Sequence, residues 1–248
     1  MRVLLLGGTT EAGQLARALA QTGIDCLYSY AGRTDAPIAQ PIPMRVGGFG
    51  GAAGLRAFLE AERITHVVDA THPFASGMSQ NAAAACAETR RALIRFERPA
   101  WVPQTGDNWT LVPDMEALPG ALPDTPARVF LAIGKQQLDL FATKPQHHYV
   151  LRLVDPPNAP LPLPDTTVLL ARGPFHQEGD ESLLREHAIT LVVAKNAGGT
   201  GARAKLDAAR ALGLPVIMAD RPDLPVCTTA SDVATVMAWL DQDADRGV

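Results

Sequence analysis

The first twenty residues of the chain constrain its fold more than any other segment. The apolar run from Val3 to Leu6 is too short for a helix of a globular domain and is typical of a buried parallel strand. Gly7 and Gly8 interrupt the run, and from Thr9 onward apolar residues recur every three or four positions. We therefore predict a strand, a glycine turn and a helix that begins at Thr9 or Thr10.

A turn of this kind is a candidate anion-binding site. Glycines let a phosphate approach the backbone closely, and the unpaired amides and the dipole at the start of a helix favour its negative charge. The spacing Gly7-x-Thr9-x-x-Ala12 is a loosened form of the dinucleotide-binding fingerprint, with threonine in place of the second glycine. The alternative is an ordinary strand-to-helix turn of an α/β domain that binds no nucleotide.

Composition and charge exclude several classes of protein. The 248 residues, 47% of them hydrophobic, suffice for one large or two small domains, and a formal net charge of −4 argues against general affinity for nucleic acid. Apolar stretches are no longer than a strand, and Met1 leads directly into the first strand, so we expect a cytoplasmic protein without a signal peptide or membrane span. The three cysteines and six histidines show no disulfide or metal-ligand spacing, and we expect no metal.

The end of the second predicted strand, Ile24 to Tyr30, indicates which nucleotide is bound. The residues after it include Gly32, Arg33 and Thr34. In a dinucleotide-binding fold this position meets the adenosine ribose, where an acidic residue accepts from a free 2′-hydroxyl and an arginine suits a 2′-phosphate. Arg33 therefore predicts NADPH. A solvated turn arginine is the alternative, and Asp35 keeps NAD open.

Two further loops come after predicted strands in the first half. The segment from Gly47 to Gly51 contains four glycines in five residues, which permits either close approach of a ligand or a mobile loop. The apolar strand from Ile64 to Ala70 delivers Thr71 and His72 to the carboxyl edge of the sheet, where ligands of open α/β sheets bind. We predict that Thr71 and His72 line the nicotinamide side of the site. The alternative for His72 is a hydrogen-bonded structural role.

A proline-rich segment, Val102 to Thr125, separates two rounds of alternating strands and helices. Its few periodic apolar residues predict a connection with at most a short helix, so we place the domain boundary at residue 124. The alternation predicts an α/β protein, with a nucleotide-binding domain over residues 1–124 and a second α/β domain over residues 125–248. A helix from Ala230 to Leu240 is expected to close the second domain.

Basic residues come directly after the predicted strands at four places, which are Arg33, Lys135, Arg172 and Lys195. Each lies within one to three residues of a strand end, and the carboxyl ends of parallel strands meet at one edge of a sheet. Because arginine and lysine hold carboxylates and phosphates by charge-assisted hydrogen bonds, this arrangement predicts a ligand with several negative groups. The alternative is that half of these side chains are ordinary solvated loop charges.

Together these motifs resemble those of the precorrin-6A reductase family, NADPH-dependent enzymes of cobalamin biosynthesis. The matching segments, from Leu6 to Pro222, are GGTTEAGQLA, YAGRT, GGFGG, DATHPFA, RFERPAW, ARGPF and KNAGGTGARAKLDAARALGLPVIMADRP. The resemblance implies two Rossmann-like domains with mostly parallel sheets and a cleft between them. It also implies hydride transfer to precorrin-6A, a corrinoid tetrapyrrole that carries acetate and propionate groups, to give precorrin-6B. The chain departs from the family in having Ala197 where a serine is frequent.

With this resemblance each candidate residue receives a role. The cofactor-binding residues are expected to be Gly7, Gly8, Thr9, Thr10, Glu11, Ala12, Gly32, Arg33, Thr34, Gly50, Ala70, Thr71 and His72. The corrinoid carboxylates are expected to meet Lys135, Arg172, Lys195, Gly198 and Gly199. Reduction also requires a proton, for which His72, Lys195 and water are the candidates.

Three other functions stay open from the sequence. One is a cobalt-precorrin-6A reductase, because the related enzymes of the anaerobic route share these motifs. Another is a different NADP-dependent reductase or epimerase that acts on a small polyanionic substrate. The third is a nucleotide-sensing module without catalysis. In each case we expect a monomer or small homo-oligomer with no nucleic-acid or membrane partner.

Overall fold

A computed structural model of the chain describes residues 1–32 and 36–245. The chain divides into two compact units, of which the first contains residues 1–99 together with those from 223 onward, and the second contains residues 100–222. Each unit is built on a six-stranded sheet, and every strand pairing among the described residues is parallel. The predicted α/β class with parallel sheets is therefore confirmed.

The elements succeed one another in a regular order along the chain. The first unit begins with β1 (Arg2–Leu6), α1 (Thr10–Leu19), β2 (Asp25–Tyr30), β3 (Met44–Val46), α2 (Gly51–Ala61), β4 (His66–Asp69), α3 (Ser76–Thr89) and β5 (Ala92–Phe96). The second unit contains β6 (Trp109–Val112), α4 (Leu118–Ala121), β7 (Arg128–Ala132), a 3₁₀ helix (Leu138–Thr143), β8 (His148–Leu153), β9 (Thr166–Leu170), α5 (Gln177–Glu186), β10 (Leu191–Lys195), α6 (Ala204–Ala211) and β11 (Val216–Ala219). The chain then returns to the first unit with β12 (Thr228–Ala230) and α7 (Val233–Asp245).

The two sheets share one strand order. The first runs β12-β5-β4-β1-β2-β3 and the second runs β6-β11-β10-β7-β8-β9. Numbered from β1, the first sheet has the order 3-2-1-4-5-6 of dinucleotide-binding folds, and the second sheet, numbered from β7, repeats the order 3-2-1-4-5. The sixth place of the second sheet is taken by β6, which precedes β7 in the chain. In such a sheet ligands bind at the carboxyl ends of the strands, where the strand order reverses. These switch points lie between β1 and β4 in the first unit and between β7 and β10 in the second.

The core of the first unit explains the apolar run at the start of the chain. Successive side chains of a strand point to opposite faces of the sheet. Val3 and Leu5 pack with α1 and α7, whereas Leu4 and Leu6 pack with α2 and α3. All four side chains are buried, because helices cover both faces of the sheet.

The second unit is packed in the same manner. Phe130, Val150 and Val192 of neighbouring strands form a core with residues of α5 and α6. On the other face of β8, the Tyr149 ring lies 6.0 Å from the Phe141 ring of the 3₁₀ helix, measured between centroids. The described residues of both units contain no helix that is long and apolar enough to cross a membrane.

The division into units differs from the expected boundary at residue 124. The expected connection contains β6, which pairs with β11, and β12 returns to the first sheet to pair with β5. The expected helix from Ala230 begins instead at Val233. Both strands lie at sheet edges, are three or four residues long and are largely exposed, so they lack the apolar run that marks a central strand.

Candidate functional site

The turn after β1 is built around a close contact between Gly7 and Tyr28. A Cβ atom on Gly7 would lie 2.2 Å from Cζ of the Tyr28 ring, so only glycine fits there. The Gly7 amide donates to the Ser29 carbonyl (3.0 Å), and the Gly8 amide donates to the Tyr28 hydroxyl (2.9 Å). Burial raises the pKa of that hydroxyl, which stays protonated. Because both glycine amides are used within the protein, the donors that this turn offers to an anion are those of the first turn of α1.

Thr9 caps α1 and ties it to the end of β4. Its backbone is extended, and its hydroxyl oxygen accepts from the Ala12 amide (3.1 Å) while the hydroxyl donates to the Ala70 carbonyl (2.8 Å). The predicted helix start is therefore confirmed. Apart from Gly8 and its two chain neighbours, no described atom lies within 4 Å of a Cβ built on Gly8, where φ is 117°, so the space beside this residue is open.

An ion pair neutralises the acidic residue in the first turn of α1. Glu11 Oε2 lies 2.6 Å from Arg98 Nη1, with the two side chains 17% and 13% exposed. An unpaired carboxylate there would repel a phosphate at the helix start, whereas the pair removes this repulsion and places a guanidinium beside the turn. Sequence reasoning gave Arg98 no role, because its partner lies 87 positions away in the chain.

Asp69, at the end of β4, orients the residues expected on the nicotinamide side. This buried carboxylate accepts from the Thr71 amide (3.2 Å) and the Thr71 hydroxyl (2.7 Å), and Arg95 Nε lies 3.9 Å from it. Since the Thr71 hydroxyl gives its proton to Asp69, its oxygen can take part in further hydrogen bonds only as an acceptor. His72 Nδ1 accepts from the Phe74 amide (3.2 Å), so a neutral His72 carries its proton on Nε2.

Arg45, on β3, organises the glycine-rich loop at the end of that strand. Its guanidinium donates to Ser29 Oγ (2.8 Å), to the Gly47 carbonyl (2.9 Å) and to the Gly48 carbonyl (3.2 Å). The guanidinium carbon also lies 4.1 Å from the centre of the Phe49 ring. Burial lowers the pKa of Arg45, which remains charged at neutral pH. These contacts give the loop a defined conformation.

The predicted cofactor-binding residues fall into three groups. The structure brings nine of them together around the switch point between β1 and β4, namely Gly7, Gly8, Thr9, Thr10, Glu11, Ala12, Ala70, Thr71 and His72. Gly32 and Gly50 lie after β2 and β3 with φ of 76° and 83°, in the left-handed region that favours glycine. Arg33 and Thr34 lie outside the described residues, so their roles remain predictions.

The predicted corrinoid-binding residues of the second unit lie at the carboxyl ends of three strands. Lys135 lies just after β7 and Lys195 ends β10; these strands are neighbours, so both lysines belong to the second switch point. Arg172 lies just after the edge strand β9, and its guanidinium is 3.9 Å from the Asp155 carboxylate. The structure therefore separates Arg172 from Lys135 by the width of β8, and from Lys195 by the width of β7 and β8.

Residues 195–199 form a turn at the end of β10, which we call the 195–199 turn. Gly198 and Gly199 have φ of 69° and 70°, and the Gly199 carbonyl accepts from the indole N–H of Trp101 (2.7 Å). Trp101 is the last residue of the segment RFERPAW, and no contact was predicted for it. Nothing local in the sequence indicates this bond, because the two residues are 98 positions apart.

The structure offers little support for thiol chemistry. Cys26, Cys86 and Cys227 are free thiols, and burial raises the pKa of each, that of Cys86 to about 12. All three are therefore protonated at neutral pH. Within the part of the chain that the structure describes, no three histidine, cysteine, aspartate or glutamate side chains are grouped so that they could hold a metal ion.

Comparisons with known proteins agree with this architecture. A family model described as precorrin-6x reductase CbiJ/CobK matches residues 2–241. The precorrin-6A reductase of Rhodobacter capsulatus is 61% identical over 246 residues, which cover 99% of this chain and 97% of that protein. The precorrin-6A reductase of a Sinorhizobium species is 48% identical over 244 residues, which cover 96% of this chain and 94% of that protein. A solved structure described as CobK precorrin-6A reductase superposes with a TM-score of 0.95 at 60% identity, covering 100% of this chain and 98% of that one.

Proposed function

Because this chain belongs to the precorrin-6x reductase family of oxidoreductases, we propose that it reduces precorrin-6A to precorrin-6B with NADPH as the reductant. The observation that supports this most strongly is the start of α1, which lies at the switch point of a sheet with dinucleotide-binding order. Thr9 caps this helix, and Arg98 neutralises the Glu11 carboxylate in its first turn. That combination suits a pyrophosphate.

The residues present in the first unit fit the cofactor. The space over Gly8 is open, and the first turn of α1 presents backbone amides to it. Thr9, Thr10 and Glu11 would hold the pyrophosphate through their amides, and Gly7 and Gly8 would shape the turn. Arg33 would contact the 2′-phosphate, with Gly32 and Thr34 beside it and Gly50 near the adenosine. When bound, the reduced nicotinamide supplies a hydride.

The residues at the end of β4 would bind the other half of the cofactor. Asp69 fixes Thr71 through two hydrogen bonds, so the Thr71 hydroxyl oxygen would accept a hydrogen bond from the carboxamide of the nicotinamide. The backbone of Ala70 is held by Thr9. These contacts would orient the ring before the substrate binds, which is the main contribution that a protein makes to cofactor chemistry.

The second unit would hold the corrinoid through its carboxylates. Lys135, Lys195 and Arg172 supply positive charge at the carboxyl edge of the sheet, and Gly198 and Gly199 supply backbone. Acetate and propionate groups are the anions that such side chains bind. Three groups are candidates for the donor of the proton to the reduced ring: His72 Nε2, the Lys195 ammonium and a bound water.

The test is an assay of the purified protein with NADPH and precorrin-6A, monitored by nicotinamide absorbance. We expect oxidation of NADPH that depends on precorrin-6A, with slower turnover when cobalt-precorrin-6A replaces it. Faster turnover of the cobalt substrate would assign the chain to the other branch of the family. If NADPH binds but no corrinoid promotes its oxidation, the proposed reaction is wrong.

The cofactor preference has its own test in the same assay. Arg33→Ala is expected to raise the KM for NADPH at least about tenfold and to leave the KM for NADH nearly unchanged, because only NADPH carries the 2′-phosphate. Arg17→Ala, at the far end of α1, is the matched control. Equal effects of Arg33→Ala on the two nucleotides would remove Arg33 from the 2′-phosphate site.

A further inference from the structure

Side-chain N–H groups from other parts of the second unit hold the backbone carbonyls of the 195–199 turn. Arg221 Nε donates to the Asn196 carbonyl (3.0 Å), and Arg221 Nη2 donates to the Ala197 carbonyl (3.2 Å). The Trp101 indole N–H donates to the Gly199 carbonyl (2.7 Å). Three of the four carbonyls from residue 196 to residue 199 are therefore fixed by two side chains from distant parts of the unit.

Trp101 is itself fixed to the same turn. The Asn196 side chain accepts from the Trp101 amide (2.8 Å) and donates to the Trp101 carbonyl (3.1 Å). Both residues are buried, and the Lys205 ammonium lies 5.0 Å from the centre of the Trp101 ring. Since a buried side-chain amide with both of its groups bonded has few alternative arrangements, Asn196 holds the backbone of Trp101 in one position beside the turn, and the indole reaches the Gly199 carbonyl from that position.

This network determines where the amides of the turn point. In a trans peptide the C=O and the following N–H point in opposite directions. With the Ala197 and Gly199 carbonyls directed at Arg221 and Trp101, the amides of Gly198 and Thr200 are directed away from those side chains. Gly198 and Gly199 have a left-handed φ and, as glycines, carry no side chain that could restrain the peptide orientation, so the hydrogen bonds to the carbonyls supply the restraint.

We infer that Trp101 is a positioning residue for the corrinoid: its indole N–H sets the direction of the Gly199 peptide, and thereby of the Thr200 amide, a backbone donor that meets a substrate carboxylate beside Lys195. This inference rests on the proposed function, since it assigns a role within the same substrate site. Trp101 itself contacts the turn and need not contact the substrate.

Trp101→Phe tests the role while it keeps an aromatic side chain in the core. Phenylalanine keeps an aromatic ring beside Lys205 and removes the indole N–H. We expect the KM for precorrin-6A to rise about tenfold, a factor in keeping with the loss of one buried hydrogen bond, while the KM for NADPH and the kcat change less than about twofold. Trp109→Phe, on the edge strand β6 of the same unit, is the matched control and is expected to change none of the three.

Three other outcomes would overturn the role of Trp101 as a positioning residue. An unchanged KM for precorrin-6A in Trp101→Phe would overturn the inference alone, provided that the wild type and Trp109→Phe turn the substrate over. A rise in both KM values together with a lower melting temperature would show a merely structural role and would also overturn it. If neither the wild type nor the control oxidises NADPH with precorrin-6A, the proposed function fails and the inference fails with it.

Discussion

The two units share a strand order but differ in the helix that comes after their first central strand. In the first unit β1 leads into the ten-residue helix α1, which Thr9 caps. In the second unit β7 leads into a six-residue 3₁₀ helix, preceded by Gln137 with a left-handed φ of 63° and no capping side chain. A capped α-helix concentrates free amides and partial positive charge at its start, whereas a single 3₁₀ segment provides much less.

Under the proposed function, this difference would let one topology recognise two kinds of anion. At the first switch point the positive field comes from backbone amides, which suit a compact pyrophosphate. At the second switch point it comes from the side chains of Lys135 and Lys195, which reach further and suit carboxylates spread around a large ring. The sheet order sets the place of each site, and the loop after the strand sets its chemistry.

Substituting the first glycine after each central strand is the strongest test of this difference. Gly7→Ala places a Cβ 2.2 Å from Tyr28, so we expect a loss of about 1–3 kcal/mol of stability and a large loss of NADPH affinity. Gly134→Ala meets no described atom within 4 Å, but φ is 78°, so we expect a cost of about 1–2 kcal/mol without a change in NADPH affinity. Urea denaturation and NADPH titration measure both effects. Equal losses of NADPH affinity would contradict the difference between the two turns.

Removing the guanidinium beside α1 should have the next largest effect. Arg98→Ala leaves the Glu11 carboxylate unpaired at the phosphate end of the helix, and we expect the Kd for NADPH to rise about tenfold. The double variant Arg98→Ala/Glu11→Gln should recover most of this loss, because it removes the repelling charge. Isothermal titration calorimetry of NADPH measures the series. A double variant no better than Arg98→Ala would show that Arg98 acts on the ligand directly.

The smallest expected effect is a pH dependence confined to the second unit. His147 is fully buried there, and its Nδ1 accepts from the Ala127 amide (3.1 Å). Burial, aided by the nearby Lys144, lowers the pKa of His147 below the usual 6.5. Below about pH 6.5 the unfolded chain therefore binds a proton that the folded chain resists, and stability falls with falling pH.

His147→Asn is the variant that checks this effect. It keeps an acceptor for the Ala127 amide but does not titrate, so its unfolding free energy should fall less steeply between about pH 7 and about pH 5.5 than that of the wild type. Chemical denaturation at several pH values measures both slopes. Parallel slopes in the two proteins would assign the pH dependence to other groups.

Much of the fold could be predicted because its central strands carry a local signal. The run from Val3 to Leu6, the glycines and the cap at Thr9 all lie within a few residues of one another, and each was confirmed. The edge strands β6 and β12 were missed because one of their faces is exposed and they are short. β6 pairs with β11 and β12 pairs with β5, in each case across more than one hundred residues of sequence. The division of the structure into its two units depends on these two pairings.

The candidate site was predicted less completely for the same reason. The positions of glycines and strand-end lysines can be predicted from their immediate neighbours, as those of Lys135 and Lys195 at the ends of β7 and β10 were. The contacts that orient them join distant segments: Arg98 with Glu11, and Trp101 with the 195–199 turn. No periodicity connects such pairs, so only the folded structure identifies Arg98 and Trp101 as supporting residues.

Hydrogen exchange of the native protein, measured with and without NADPH and then with precorrin-6A, most directly tests the assignment of one anion to each unit. NADPH should slow exchange of the amides in residues 8–12 and 70–75 and leave those in residues 195–200 unchanged, whereas precorrin-6A should slow exchange in residues 195–200. Protection of residues 195–200 by NADPH alone, with none at residues 8–12, would contradict the assignment.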